Sequence, residues 1–247
     1  MARAKKLHSP KGASAASAIP DLVRLLRKQW PATRCELNFS NALELMVAVI
    51  MAAQSTDKGV NEITPNLFKK YRTPEDYLRV PPEVFEREIV RTGFFRAKTR
   101  SIRGACQTLI DKFGGQVPKT MDELLELPGI GRKSANVILG AAYGIPVGVV
   151  VDTHMIRLSH RLNLSRQEDP VKIEQDLNRL VPLKDRIFFS QAMVLHGRYI
   201  CVARQPRCWE CELIKVCPYP DKIPVSPDNE KGEPRKTITG IPIRVRA

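Results

Sequence analysis

The sequence predicts an all-α protein, and three observations carry that reading. Helix start and stop signals recur from Pro20 onward. No run alternates apolar and polar residues for long enough to make a half-buried strand. The composition, 43% hydrophobic and 27% charged, is that of a globular chain with a sizeable core, and 247 residues suffice for one large or two small domains.

Taken in order, residues 1–19 are basic, rich in Ala and Ser and free of acidic side chains. They lack the apolar stretch of a secretory signal and share some composition with organelle transit peptides; a disordered basic arm is the expectation. Pro20 to Gln29 then sets Leu22, Val23, Leu25 and Leu26 on one helical stripe. Asn41, with Glu44 beyond it, is placed to cap the apolar helix Leu45 to Ala53. Thr73-Pro74 and Asp169-Pro170 have the cap-then-proline form of a helix start. Gly93, Gly114-Gly115 and Gly144 read as helix stops. Only Val147 to Val151 could be extended, and about nine or ten helices are expected in all. Residues 222–247 contain Pro, Lys and Arg with little to bury, so a disordered tail is expected. No apolar run approaches the roughly 20 residues of a membrane helix, so a cytoplasmic chain without a membrane partner is expected.

The densest signal lies over residues 120–144. Thr120-Met121-Asp122-Glu123 has the form of a capping box. Pro128 and Gly129 stop the helix that it opens, and Ala135, Val137, Ile138, Ala141 and Ala142 mark a second one ending at Gly144 and Pro146. Between them runs Leu127-Pro128-Gly129-Ile130-Gly131-Arg132-Lys133. Its glycines tolerate positive φ and close backbone approach, and the amides at the head of the second helix favour an anion such as a phosphodiester. A tight turn with no ligand would use the same glycines. Lys133, and Asp152 after Val149-Val150-Val151, are more than a turn requires, although Asp152 also reads as a plain N-cap for a helix from Met155 to Leu162.

Forty Lys and Arg against 26 Asp and Glu, a net charge of +14, imply a polyanionic partner, either nucleic acid or an acidic membrane surface. Purely structural basic proteins share this charge, so it names no activity. Cys201, Cys208, Cys211 and Cys217 form C-x6-C-x2-C-x5-C among Arg204, Arg207 and Lys215. Four thiolates this close suit one metal centre, and both zinc and a cubane iron–sulfur cluster take four cysteines. Cys35 and Cys106 lie apart among apolar residues and are expected to be buried and inert. His154 and His160 are too far apart along a helix to form a metal pair, and His196 reads as a packing residue.

Three signatures occur in order: Leu-Pro-Gly-Ile-Gly-Arg-Lys at 127–133, Val-Asp-Thr-His at 151–154, and His196-Gly197-Arg198 leading into the four cysteines. From about Ile19 to Tyr219 the chain resembles bacterial endonuclease III, a family of DNA glycosylases of the helix-hairpin-helix superfamily with an iron–sulfur cluster. The resemblance implies two helical domains. A barrel over 36–146 would carry the hairpin at 120–144. Residues 20–35 together with 147–221 would form the iron–sulfur domain, with a cleft between the two. It also implies a 4Fe–4S cluster on Cys201, Cys208, Cys211 and Cys217, making a rigid basic surface of the loop that bears Arg204 and Arg207. The implied partner is double-stranded DNA containing damaged bases or abasic sites, bound by a monomer associated with the nucleoid.

Chemistry on a base inside a duplex requires that the nucleotide be flipped out. Gln54 matches the family position that enters the vacated stack, and Phe94 the position of an apolar wedge; taken alone they read as a helix-end polar residue and a core residue. Gly129, Ile130, Gly131, Arg132 and His154 would meet the DNA as well. By the same resemblance Lys133 is the nucleophile: a neutral amine displaces the damaged base from the sugar C1′, and the resulting Schiff base permits β-elimination of the 3′ phosphate. The positive charge of Arg132 would help that amine shed its proton. Asp152 would accept a proton or stabilise the cationic sugar. The expected substrates are oxidised or ring-saturated pyrimidines such as thymine glycol. The stretch from Lys133 to Asp152 is slightly longer than the family pattern, which is expected to alter the shape of the cleft. Two other readings stand: a non-enzymatic helix-hairpin-helix module, which leaves Asp152 unemployed, and a mismatch-specific sister glycosylase, against which Lys133 speaks because those relatives usually lack a lysine there.

Overall fold

The computed structural model describes residues 15–225, and among them the chain is all helical, with eleven α-helices, four short 3-10 helices and no strand. The helices are α1 (Ala15–Gln29), α2 (Ala42–Ala52), α3 (Asp57–Lys70), α4 (Pro74–Arg79), α5 (Pro82–Ile89), α6 (Phe95–Phe113), α7 (Met121–Leu125), α8 (Arg132–Tyr143), α9 (Thr153–Arg161), α10 (Pro170–Leu180) and α11 (Arg186–Tyr199). No helix among the described residues is long and apolar enough to cross a membrane.

Short-range chemistry sets most of the helix ends. Asn41 accepts a hydrogen bond from the Glu44 amide at 2.9 Å, and the Glu44 carboxylate turns back to the Ser40 amide. Asp169 caps α10 through the Lys172 amide at 2.9 Å, with Pro170 at the first helical position, where a missing N–H costs nothing. Gly114 and Gly144 close α6 and α8 in the left-handed conformation.

One expectation needs correction. Residues 15–19 of the expected arm are helical, because α1 begins at Ala15 and runs through Pro20. The proline forfeits one helical hydrogen bond, and burial of Ile19 beside it offsets that loss. Residues 1–14, and residues 226–247 of the expected tail, lie outside the described part of the chain. Val147 to Val151, the one stretch that could be extended, pairs with no strand among the described residues. Its amides are taken by side chains instead: Val149 N–H by Asn178 and Val150 N–H by Ser190, each at 3.0 Å.

The helices gather around two apolar cores. One holds Leu45 and Met46 of α2, Tyr77, Phe85, Ile102 and Leu109, and Ile138 and Leu139 of α8. The other joins Leu22 and Leu26 of α1 to Met155, Leu158, Ile173, Leu177, Phe189 and Met193. Two sets of charged contacts tie these groups together. Arg198 on α11 pairs with Glu36 and, at 2.7 Å, with Asp57 on α3. Arg132 at the head of α8 makes a two-pronged pair with the buried Glu174 of α10, at 2.7 and 3.0 Å, and Asn136 adds a third donor at 3.1 Å. Gly148 is glycine because any Cβ there would collide with this Glu174–Asn136 contact.

Candidate active site

A cleft of about 690 Å³ runs between the two groups of helices, with Gln54, Lys133 and Asn136 on one side and Asp152, His154 and Arg198 on the other. It brings Lys133 and Asp152, which are 19 positions apart in the chain (152 − 133), onto one surface.

The hairpin positions Lys133. Thr120 opens α7 by accepting from the Glu123 amide at 3.4 Å, and its hydroxyl donates to the Glu123 carboxylate at 2.6 Å. The carboxylate therefore braces the cap residue's side chain, where a capping box would have it reach the backbone amide. The turn closes with the Ile130 amide donating to the Leu127 carbonyl at 3.0 Å. Gly129 sits at φ +82°, and a Cβ on it would lie 2.7 Å from the Ser101 Cβ of α6, so both backbone and packing demand glycine. Gly131 differs. Its φ is −100°, an ordinary extended value, and a Cβ there would meet nothing within 4 Å. What makes the turn tight is Gly129; what Gly131 leaves is open space in front of the first amides of α8. Lys133 stands exposed at that helix head and has no hydrogen-bond or ion-pair partner among the described residues.

Asp152 faces it as the N-cap of α9, accepting from the Met155 amide at 2.8 Å. One of its oxygens serves the helix, and the carboxylate remains half-exposed in the cleft. His154, two residues on, lies 3.2 Å from an Arg157 guanidinium nitrogen. Burial holds its imidazole below the ordinary range; Asp152 opposes that shift, while Arg157 and Arg198 add to it. Gly197 lets α11 come this close, since a Cβ on it would lie 2.7 Å from the His154 Cβ.

Gln54 lines the cleft, whereas Phe94 is not among its lining residues. Gln54 follows the end of α2 at φ +56°, exposed and lining the cleft. Phe94 precedes α6 at φ +47° and is 65% exposed, so its core reading is wrong. Non-glycine residues in the left-handed region are strained and persist only where their surroundings enforce them. No sequence signal marked either backbone.

Other candidates are engaged elsewhere. Ile130 is buried in the first core, so only its backbone can face a ligand. Arg132 is committed to Glu174, and the negative charge beside it offsets the positive charge expected to act on Lys133. Arg207 pairs with Glu210 at 2.6 Å, whereas Arg204 is exposed. Three polar residues escaped the sequence reading: Glu174, Arg198 as a tie to Asp57, and Lys98. The last had a signal, because it shares the helical stripe of Ile102, Ala105 and Leu109.

The four cysteines line one small cavity with Leu158, Arg161 and His196. No group of three or more His, Cys, Asp or Glu side chains among the described residues is arranged to hold a metal ion. The thiols sit among hydrogen-bond donors instead: Arg161 donates to the Cys201 Sγ at 3.1 Å, and the His196 Nε2 lies 3.5 Å from the Cys211 Sγ. Burial pushes the Cys211 thiol up to about 12 and raises that of Cys217. Cys106 is buried, its thiol likewise raised to about 12, whereas Cys35 is only partly buried and lines the cleft.

Residues 47–183 match the family model described as HhH-GPD superfamily base excision DNA repair protein. The chain is 44% identical over 208 residues to endonuclease III of Synechocystis sp., covering 84% of this chain and 95% of the relative. Two solved structures superpose with a TM-score of 0.78 at 41% identity, covering 83% of this chain and 96% of theirs. One is a non-covalent endonuclease III–DNA complex, and the other a trapped endonuclease III–DNA covalent intermediate.

Proposed function

The chain belongs to the HhH-GPD superfamily of base excision DNA repair proteins, within it to the DNA glycosylase and AP lyase family of endonuclease III, and on that premise we propose how its own residues perform the reaction. The observation that carries the reading is the cleft that sets a lysine at a helix head, without a partner among the described residues, and a half-exposed aspartate on one surface.

DNA enters along the hairpin. The amides at the head of α8 meet a phosphate over the open face of Gly131, while Gln54 enters the stack that a flipped nucleotide vacates and Phe94 wedges beside the opposite strand. The Lys133 Nζ, as the neutral amine, forms a bond to the sugar C1′ while the bond to the damaged base breaks, and the base leaves with a proton. The sugar ring opens to a Schiff base. Loss of a proton from C2′ then expels the 3′ phosphate, and water releases the lysine. Asp152 stabilises positive charge on the sugar as the base departs and accepts a proton in the steps that follow. The substrates are duplexes with oxidised or ring-saturated pyrimidines, or abasic sites. Of the two arginines in the basic loop, Arg204 is the one left to reach a phosphate.

The two cores support a reading as two domains, 36–146 and 20–35 with 147–221, acting together as a monomer. Cys201, Cys208, Cys211 and Cys217 fit a 4Fe–4S cluster: four soft donors line one small cavity, and Arg161 offers an N–H group to sulfur. The four cysteines would hold the cluster, which would cross-link the loop beyond α11 that bears Arg204. Freshly isolated protein should be yellow-brown with about four irons per chain and acid-labile sulfide; stoichiometric zinc without sulfide overturns this assignment.

Borohydride tests the chemistry. With thymine-glycol duplex it should trap a covalent protein–DNA adduct by reducing the imine to an amine. Lys133→Gln should abolish adduct and nicking while leaving duplex binding and thermal stability intact. A binding module releases no base, and a mismatch glycosylase releases base without an adduct. An adduct that persists in Lys133→Gln would mean that another amine is the nucleophile.

A further inference from the structure

The cleft chemistry leaves one buried charge unused. Lys98 on α6 is 4% exposed and pairs with no carboxylate among the described residues. Its ammonium donates at 2.8 Å to the Ser55 Oγ and at 2.7 Å to the Thr92 carbonyl. The Ser55 hydroxyl also meets the Thr92 carbonyl, so the three groups close on one another. Burial lowers the lysine pKa from its ordinary value, a cost that two hydrogen bonds only partly offset.

The two acceptors belong to different loops, 37 positions apart in the chain (92 − 55). Each lies within two residues of a strained one. Ser55 directly follows Gln54, at φ +56°. Thr92 is followed by Gly93 at φ +67° and Phe94 at φ +47°. Nothing in the folding of a free protein requires a glutamine and a solvent-exposed phenylalanine to hold left-handed backbone. Such geometry lasts only where neighbouring groups impose it, and a lysine with three donors touches both loops, adding two bonds to the direct one from Ser55 to Thr92.

We propose that Lys98 is a positioning residue: its ammonium clamps the Gln54 loop to the Phe94 loop, so that the two side chains enter the duplex as one preset unit. This rests on the reading of Gln54 and Phe94 as inserting residues. A clamp of this kind removes the cost of ordering two loops at the moment of insertion, which is where base flipping would otherwise be slowed. It also explains a charge on the apolar stripe of α6, since a methionine there would fill the same space without holding either loop.

The test uses the full-length protein with its metal content intact. The probe is a duplex bearing a tetrahydrofuran abasic analogue, with 2-aminopurine in the opposite strand to report unstacking. Lys98→Met keeps the stem and relieves a buried charge, so it should fold with a Tm within a few degrees of wild type. It should reduce the 2-aminopurine signal, slow single-turnover excision of thymine glycol about tenfold, and leave the Kd for undamaged duplex unchanged. Gln54→Ala with Phe94→Ala should produce the same loss, and adding Lys98→Met to that pair should cost nothing more. A wild-type Lys98→Met, or a loss that adds in full to the pair's, overturns the clamp and leaves the reading of Gln54 and Phe94 standing. A Gln54→Ala, Phe94→Ala protein with wild-type signal removes both. If Lys98→Met fails to fold, Ser55→Ala decides: it deletes one clamped group, and a smaller loss in the same direction supports the clamp while no loss overturns it.

Discussion

The two walls of the cleft hold their functional groups by different means. On the hairpin wall the functional side chains make no hydrogen bond or ion pair among the described residues: Gln54 and Phe94 project from left-handed backbone, and Lys133 from a helix head beside the open face of Gly131. On the opposite wall every functional group is also a structural one. Asp152 caps α9, His154 touches Arg157, and Arg157 itself donates to the Gly197 and Cys201 carbonyls. Arg198 ties α11 to Asp57. The hairpin wall can therefore change its chemistry without harm to the fold. The opposite wall cannot, unless the substitution keeps the structural bond.

Asp152 offers the largest break in that contrast. Asn caps helices about as well as Asp, so Asp152→Asn should keep its melting temperature. Its base release should slow on the order of a hundredfold or more, because the negative charge facing the sugar is gone. Asp152→Ala should show the same kinetic loss plus about 1 kcal/mol of stability for the missing cap. Single-turnover rates and thermal melts of the pair separate the two roles. Wild-type excision by Asp152→Asn would reduce Asp152 to a cap.

Glu174 comes next, because it is where the walls are joined. Its carboxylate is buried, takes two bonds from Arg132 and one from Asn136, and Arg132 stands next to Lys133. Arg132 is 41% exposed, so water softens the loss of its partner. Glu174→Ala is expected to cost about 2 kcal/mol, a fall in Tm of roughly 4–8 °C. Excision should drop further than that stability loss explains, since the head of α8 loses its anchor across the cleft. Unchanged melting and unchanged rate together would show that the ion pair does not join the walls.

The sequence made local features legible. Asn41, Thr120, Asp152 and Asp169 cap helices where their patterns said they would, because a cap is written within four residues. The hairpin glycines, Lys133, Asp152 and the four cysteines each fall within short stretches whose spacing carries chemistry. What stayed hidden depends on partners far along the chain. Arg132 looked like a free cation until Glu174, 42 positions away, claimed it. Phe94 read as a wedge by resemblance and as core by residue type alone, because a phenylalanine's type says nothing about a strained loop that turns it outward. Val147 to Val151 read as extended, and nothing in it told that Asn178 and Ser190 would replace a neighbouring strand.

The smallest expected effect sharpens the comparison most, because it sets two glycines of one turn against each other. Gly129→Ala forces a side chain into left-handed backbone at φ +82° and against Ser101, and should cost about 1–3 kcal/mol. Gly131→Ala meets open space at φ −100°, so melting should be unchanged or slightly raised, the latter because alanine reduces the freedom of the unfolded chain. Binding should order them oppositely. A methyl at Gly131 stands where a phosphate approaches the amides of α8, so affinity should fall for damaged and undamaged duplex alike, since phosphate contacts carry no sequence information. Gly131→Asp should weaken it further by placing a negative charge there, while the steep salt dependence of the wild type persists in all three. Titrations of undamaged duplex at two salt concentrations, beside melts of the same samples, read both axes. If Gly131→Asp binds as tightly as wild type, the open face of the hairpin is not where the DNA backbone rests, and the hairpin wall owes its position in the cleft to packing alone.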